Sequence, residues 1–139
     1  MRKILTALAL IVLAGCSTSP VTEETADIVP SERVYADKYV KSGDQAGKAE
    51  VVFLRDSGIF GSGCTHDVYV NNTKTFAIKS GEFIQLNLDP GPYFFRLETG
   101  SGICPDIATS QDVDLKAGAK VVYRILLPSD GSLRLTRIK

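Results

Sequence analysis

Short apolar runs separated by turn residues dominate the chain from residue 49 onward. Residues 51–54 form one continuous apolar run, and Ile84, Leu86 and Leu88 alternate with polar residues. Alternation with a period of two places every second side chain on one face of a strand, as in a half-buried strand. No long stretch with helical periodicity occurs after Gly47. The pattern therefore predicts an all-β domain of about seven or eight short strands.

Turn signals stand between most of these runs. Asn71-Asn72 tolerates the positive φ angles that tight hairpins need, and Ser80-Gly81 and residues 89–92 (DPGP) mark further reversals of the chain. Short strands with turns at regular spacing favour an antiparallel β-sandwich or a small barrel. We expect an antiparallel β-sandwich over residues 48–139.

The amino terminus has the composition of an export signal. Arg2 and Lys3 precede an apolar run over residues 4–13, and small residues follow it. This order is typical of a secretory signal peptide, and the run is short for a membrane span. We expect residues 1–15 to be removed as the signal peptide.

Residues 13–16 (LAGC) resemble the lipobox of bacterial lipoproteins. The resemblance implies that Cys16 receives a diacylglyceryl group and that the new amino terminus is acylated. More than one acyl chain holds a protein stably on a membrane. By the sorting rule of Gram-negative lipoproteins, Ser17 favours the outer membrane. The expected location is the outer membrane, with the lipid-anchored domain facing the periplasm.

Residues 16–47 are predicted to be the lipidated amino terminus and a flexible linker. A flexible chain of about 30 residues spans roughly 30 Å, so the domain would stand off from the membrane. Within the linker, residues 31–40 are expected to form a short helix with Ser31 as its cap.

Composition limits the classes of partner and cofactor. Removal of Arg2 and Lys3 from 16 basic residues leaves 14, against 16 acidic residues. A nucleic-acid partner would normally require a basic patch, so none is expected. The sequence has no phosphate-binding loop and no dinucleotide fingerprint, so no cofactor is expected either.

Cys64 and Cys104 remain once Cys16 is lipidated, and an oxidising envelope favours a disulfide between them. Each lies in a loop rich in glycine and serine, residues 59–64 and 99–105. A disulfide would clamp the two loops together at one end of the sandwich, as a preorganised surface for binding. The apolar residues assigned to this candidate surface are Ile59, Phe60 and Ile103. The alternative is a staple that only stabilises the domain, with these residues folded inward.

The residue pattern gives little support to the hypotheses of a metal site or a catalytic site. His66 lies between Cys64 and Asp67, and with Cys104 it offers ligand types found in zinc sites. An oxidised cysteine pair cannot ligate a metal as thiolates, and His66 is interpreted as a strand-edge surface residue. No Gly-x-Ser-x-Gly elbow occurs. We therefore expect no catalytic residues and no metal site.

Two segments are similar to the PEGA-like pattern. Residues 68–72 (VYVNN) form a hairpin signature, and residues 88–93 (LDPGPY) lead into a strand. Residues 47–55 resemble the first strand of a family of small proteobacterial lipoproteins of unknown function. The resemblance covers residues 47–98 and implies a sandwich related to transthyretin-like modules. It brings no catalytic residue, and the glycine-rich loops around the cysteines depart from it.

Together these observations predict a membrane-anchored envelope lipoprotein that acts as a non-enzymatic binding or assembly module. Its expected contacts are the membrane, through the lipid, and an envelope protein or a cell-wall glycan. A first alternative is a periplasmic inhibitor that blocks an incoming enzyme, such as a lysozyme, with the stapled loops. A second is a module that binds cell-wall glycan.

Overall fold

Nine β-strands form two sheets in the part of the chain that the computed structural model describes, residues 18–40, 45–59, 61–101, 103–128 and 131–139. The strands are β1 (Asp27–Ile28), β2 (Ala49–Arg55), β3 (Thr65–Val70), β4 (Thr73–Ile78), β5 (Glu82–Leu88), β6 (Gly91–Ser101), β7 (Ala108–Leu115), β8 (Lys120–Leu126) and β9 (Arg134–Arg137). The predicted all-β sandwich is confirmed.

The two sheets differ in how their strands run. One has the order β4-β3-β6-β7 and is antiparallel throughout. The other has the order β1-β5-β2-β8-β9, in which β1 pairs with β5, and β2 with β8, in parallel. The expectation of a purely antiparallel sandwich misses these pairs. After β7 the chain switches sheets, and β8 then starts at the same end as β2.

Four aromatic rings join the sheets at the centre of the core. The ring centroid of Phe53 on β2 lies 5.3 Å from those of Phe76 and Phe95 and 5.4 Å from that of Tyr123. All four side chains are buried. The Phe53–Phe95 and Phe95–Tyr123 pairs meet edge to face, an arrangement that aromatic rings favour.

The predicted turns form where the sequence indicated. Asn71 and Asn72 have φ angles of 47° and 65° and connect β3 to β4 as a two-residue hairpin. Both angles are positive, as a type I′ turn requires, and asparagine tolerates this region better than most residues. Gly81, between β4 and β5, has a φ of 79°.

The amino-terminal strap, residues 18–40, packs along the sandwich. Its first part crosses the outer face of the five-stranded sheet, where Val21 contacts a cluster that includes Val52, Leu54 and Val122. The strap then pairs as β1 with the edge of β5. The linker predicted over residues 16–47 therefore includes a segment that covers apolar sheet surface.

The second part of the strap reaches the other sheet. Val34 forms a bridge with Phe76 on β4, and the Tyr35 main-chain N–H donates to the carbonyl oxygen of Thr75 at 2.8 Å. The helix expected over residues 31–40 is replaced by two short 3₁₀ helices, Ser31–Arg33 and Asp37–Tyr39, because main-chain groups between them bond to β4. Within the described part of the chain the Ser31 side chain makes no capping hydrogen bond, and Pro30 occupies the position before the first 3₁₀ helix, so the predicted cap is wrong.

The predicted signal peptide over residues 1–15 and the predicted lipidation site Cys16 lie outside the described residues. Among the residues that are described, no helix has the length and apolar character needed to cross a membrane.

Replacement of Val21 by alanine tests whether the strap stabilises the domain. Val21 is 5% exposed, so Val21→Ala should lower the free energy of unfolding by about 1–2 kcal/mol. Ile28 in the same strap is 71% exposed, and Ile28→Ala should change it by less than about 0.5 kcal/mol. Urea unfolding of both variants measures the difference. Equal effects would show that the strap packing contributes little.

Candidate functional site

The connections after β2, β4, β6 and β8 meet at one end of the sandwich, here called the loop end. The Cys64–Cys104 disulfide joins the connections that follow β2 and β6, with Cα atoms 5.8 Å apart. The predicted pairing is confirmed. For a sequence separation of 40 residues, the chain-entropy model assigns such a crosslink about 4 kcal/mol. The opposite end, here called the turn end, carries the Asn71-Asn72 hairpin.

Two of the three apolar residues assigned to the candidate surface lie exposed at the loop end. Ile59 is 81% exposed and Ile103 is fully exposed. Neither folds inward, which the staple-only alternative required. Phe60 lies outside the described residues. Large aliphatic side chains held in water by linked loops have the exposure that a contact surface needs.

A buried arginine, Arg55, forms hydrogen bonds with the loop between β2 and β3. The Arg55 guanidinium donates through Nη1 to the carbonyl oxygens of Cys64 at 2.6 Å and Ile78 at 3.0 Å. Through Nη2 it donates to the carbonyl oxygen of Gly61 at 2.7 Å. Burial lowers the pKa of Arg55 to about 10, against the opposing charge of Glu82. The side chain is therefore still a cation at neutral pH.

The position of Arg55 follows from the period of β2. Val51 and Phe53 face the core, and Arg55 is the next residue on the same side of the strand. Sequence reasoning missed this role, because an arginine beside a glycine-rich loop is normally interpreted as a solvated residue. Residues 51–54 are apolar on both sides of the strand, so no local signal showed that the side with Val51 and Phe53 faces the core between the sheets.

Main-chain turns and close packing fix the loop that carries Ile59. The Ser62 N–H donates to the carbonyl oxygen of Ile59 at 3.2 Å, and the Cys64 N–H donates to that of Gly61 at 3.0 Å. Gly61 has a φ of 70°, and a Cβ there would collide with the Leu127 side chain. The loop is thus preorganised, which reduces the entropy lost when it binds.

His66 is buried, and its interpretation as a strand-edge surface residue is wrong. It lies in β3 between β4 and β6 and is 1% exposed. Burial lowers its pKa to about 4, and the charge of Arg55 adds to the shift. The ring is neutral at pH 7, and its Nδ1 atom has no hydrogen-bond partner among the described residues. Among the described residues, no group of histidine, cysteine and acidic side chains is arranged to hold a metal.

A second polar contact fastens the strap next to the loop end. The buried Asp56 carboxylate accepts a hydrogen bond from Arg124 and another from the Val21 N–H at 3.1 Å. Arg124 Nη2 also donates to the Val21 carbonyl oxygen at 3.2 Å. These partners lie 35 to 103 residues apart in the chain, so no local sequence pattern could predict the contact.

Comparison with known families identifies a match over much of this structure. The family model DUF2846, described as a protein of unknown function, matches residues 45–129. This range is more than half of the chain and includes both disulfide cysteines. No curated protein matches the chain.

Replacement of Arg55 by methionine should destabilise the domain by about 3 kcal/mol. The variant retains an apolar stem but removes the Arg55 donor from the carbonyl oxygens of Cys64, Ile78 and Gly61, of which that of Gly61 still accepts from the Cys64 N–H. Each buried group left without a partner costs about 1–3 kcal/mol. Part of that cost is offset because a desolvated cation is removed. Arg137→Met, at an exposed position on β9, is the matched control and should be near neutral. Equal urea midpoints for the two variants would contradict the proposed role of Arg55.

The buried His66 predicts a loss of stability in mild acid. Its folded pKa of about 4 lies below the ordinary value of 6.5, so the unfolded chain binds more protons between these pH values. The free energy of unfolding should fall as pH decreases from about 6.5 to 4, by about 3 kcal/mol in total.

His66→Gln removes the chain's single histidine and should leave stability nearly constant between pH 7 and 5. Urea unfolding across this range measures both proteins. A wild-type protein with the same flat profile would show that the ring is accessible to protons in the folded state.

Proposed function

Because the chain belongs to the DUF2846 family, whose function is unknown, we propose a function from its own residues. The protein is a membrane-anchored envelope lipoprotein that acts as a non-enzymatic binding module, and the loop end is its contact surface. Cys16 carries the lipid, and Ser17 directs the protein to the outer membrane.

The exposure of Ile59 and Ile103 on fixed loops carries this proposal. Full burial of an isoleucine side chain contributes about 1.5–3 kcal/mol, so two such residues supply a substantial part of a specific contact. The disulfide and the hydrogen bonds of Arg55 hold the loops before any partner arrives. Little ordering is then needed on binding.

The position of His66 supports a non-enzymatic role. A general base must lie within hydrogen-bond reach of the proton that it removes. His66 is buried in a central strand, at 1% exposure. Its lowered pKa also makes it a weak base at neutral pH.

The chemical class of the contact separates the alternatives raised by the sequence. An assembly role predicts a resident envelope protein at the loop end, and an inhibitor predicts an incoming enzyme. A glycan-binding role predicts a cell-wall fragment. Covalent crosslinking of each kind of partner to the loop end gives an adduct of different composition.

Photo-crosslinking in cells tests the contact surface. A photoreactive amino acid is placed at residue 59 or residue 103, and the adducts are analysed by mass spectrometry. Ile28 and Ile138 are exposed isoleucines outside the two stapled loops, 71% and 49% exposed, and serve as matched control positions. We expect adducts at residues 59 and 103 and few at the controls, because only the loop end forms a defined contact.

Equal labelling at all four positions would contradict the proposed surface. The intact mass of the same preparations reports the acyl chains on Cys16, and a Cys16→Ser variant should leave the membrane fraction. Retention of that variant in the membrane would contradict the lipid anchor.

A further inference from the structure

The described chain begins at the loop end. The Ser19 N–H donates to the carbonyl oxygen of Ser57 at 2.7 Å, and the Ser57 N–H donates to that of Ser19 at 3.0 Å. Thr18 lies against Gly58, where an added Cβ would be 3.0 Å from Thr18 Cγ2. The first residues of the strap are therefore held beside the residue that precedes Ile59.

The covalent chain limits how far the proposed lipid can lie from this point. Two residues span at most about 7 Å, so the Cα atom of Cys16 lies within that distance of the Thr18 Cα atom, whatever path the chain takes. The lipid would thus leave the protein next to the loop end. A linker of roughly 30 Å, as the sequence suggested, requires a free chain that the Ser19–Ser57 bridge does not allow.

The two stapled loops also lack charge. Residues 57–64 (SGIFGSGC) and 99–105 (TGSGICP) contain no aspartate, glutamate, lysine or arginine. Charged side chains resist transfer from water into an apolar phase, whereas isoleucine favours it. Fully exposed Ile103 and largely exposed Ile59 then project from two uncharged loops beside the proposed anchor.

We infer that the loop end rests on the bilayer that holds the anchor, with Ile59 and Ile103 inserted at its surface. This inference rests on the lipidation of Cys16 proposed above and names the bilayer as the occupant of the contact surface. The acyl chains and the two isoleucines then form one membrane contact, and the turn end points away from the bilayer.

Tryptophan fluorescence in vesicles tests this arrangement, because the chain contains no tryptophan. Ile103→Trp and Ile59→Trp are each made in the acylated full chain. Ala117→Trp, in the exposed turn between β7 and β8 at the turn end, is the control. The proteins are reconstituted into phosphatidylethanolamine–phosphatidylglycerol vesicles with or without bromine atoms on the acyl chains, since bromine quenches only nearby tryptophan.

We expect brominated vesicles to remove most of the emission from residues 59 and 103, with a shift to shorter wavelength, and to leave that of residue 117 unchanged. Absence of quenching at residues 59 and 103 in protein whose mass includes the acyl chains would overturn the inference and leave the anchor intact. Shielding of residues 59 and 103 by a co-purified protein would also overturn the inference and leave the anchor intact. A mass without acyl chains would overturn the anchor, and the inference with it.

Discussion

The buried guanidinium of Arg55 is the contact on which the loop end depends. It bonds to carbonyl oxygens at the end of β4, just before the start of β3 and within the loop between β2 and β3. Arg55 lies on β2 in one sheet and β3 and β4 lie in the other, so this one side chain links the two sheets at the loop end. Each carbonyl oxygen would lose a donor in a dry environment without it. The Cys64–Cys104 disulfide extends this fixed region to the connection that follows β6.

The strap, residues 18–40, packs against both sheets of the sandwich. It covers the apolar outer face around Val52 and Val122, pairs with the edge of β5, and then bonds to β4 in the second sheet. On the other side, the Gln111 side chain donates to the carbonyl oxygen of Leu135 and links β7 to β9. The strap therefore covers the edges of β5 and β4, which protects them from pairing with other chains.

Local patterns predicted much of the fold, and long-range contacts explain what they missed. Alternation identified the strand with Ile84, Leu86 and Leu88, Asn71-Asn72 identified the hairpin, and cysteine counting identified the disulfide. The parallel β2–β8 pair and the Asp56–Arg124 contact join segments far apart in sequence, for which no local signal exists. At the candidate site, the loops and Ile59 and Ile103 were assigned from the sequence. The inward position of Arg55 could not be predicted, because residues 51–54 are apolar on both sides of β2 and do not show which side faces the core.

The Ser19–Ser57 bridge also determines how the domain carries tension. If Cys16 carries the proposed lipid, a pull between that anchor and the folded domain enters the fold at the first strap residues. It meets the two main-chain hydrogen bonds of the bridge first, and then the Asp56 and Arg124 contacts to Val21. The crosslinked loops and the central strands bear the force only after these contacts have broken. The strap is thus the element that peels away first, and it lengthens the connection while the sandwich stays folded.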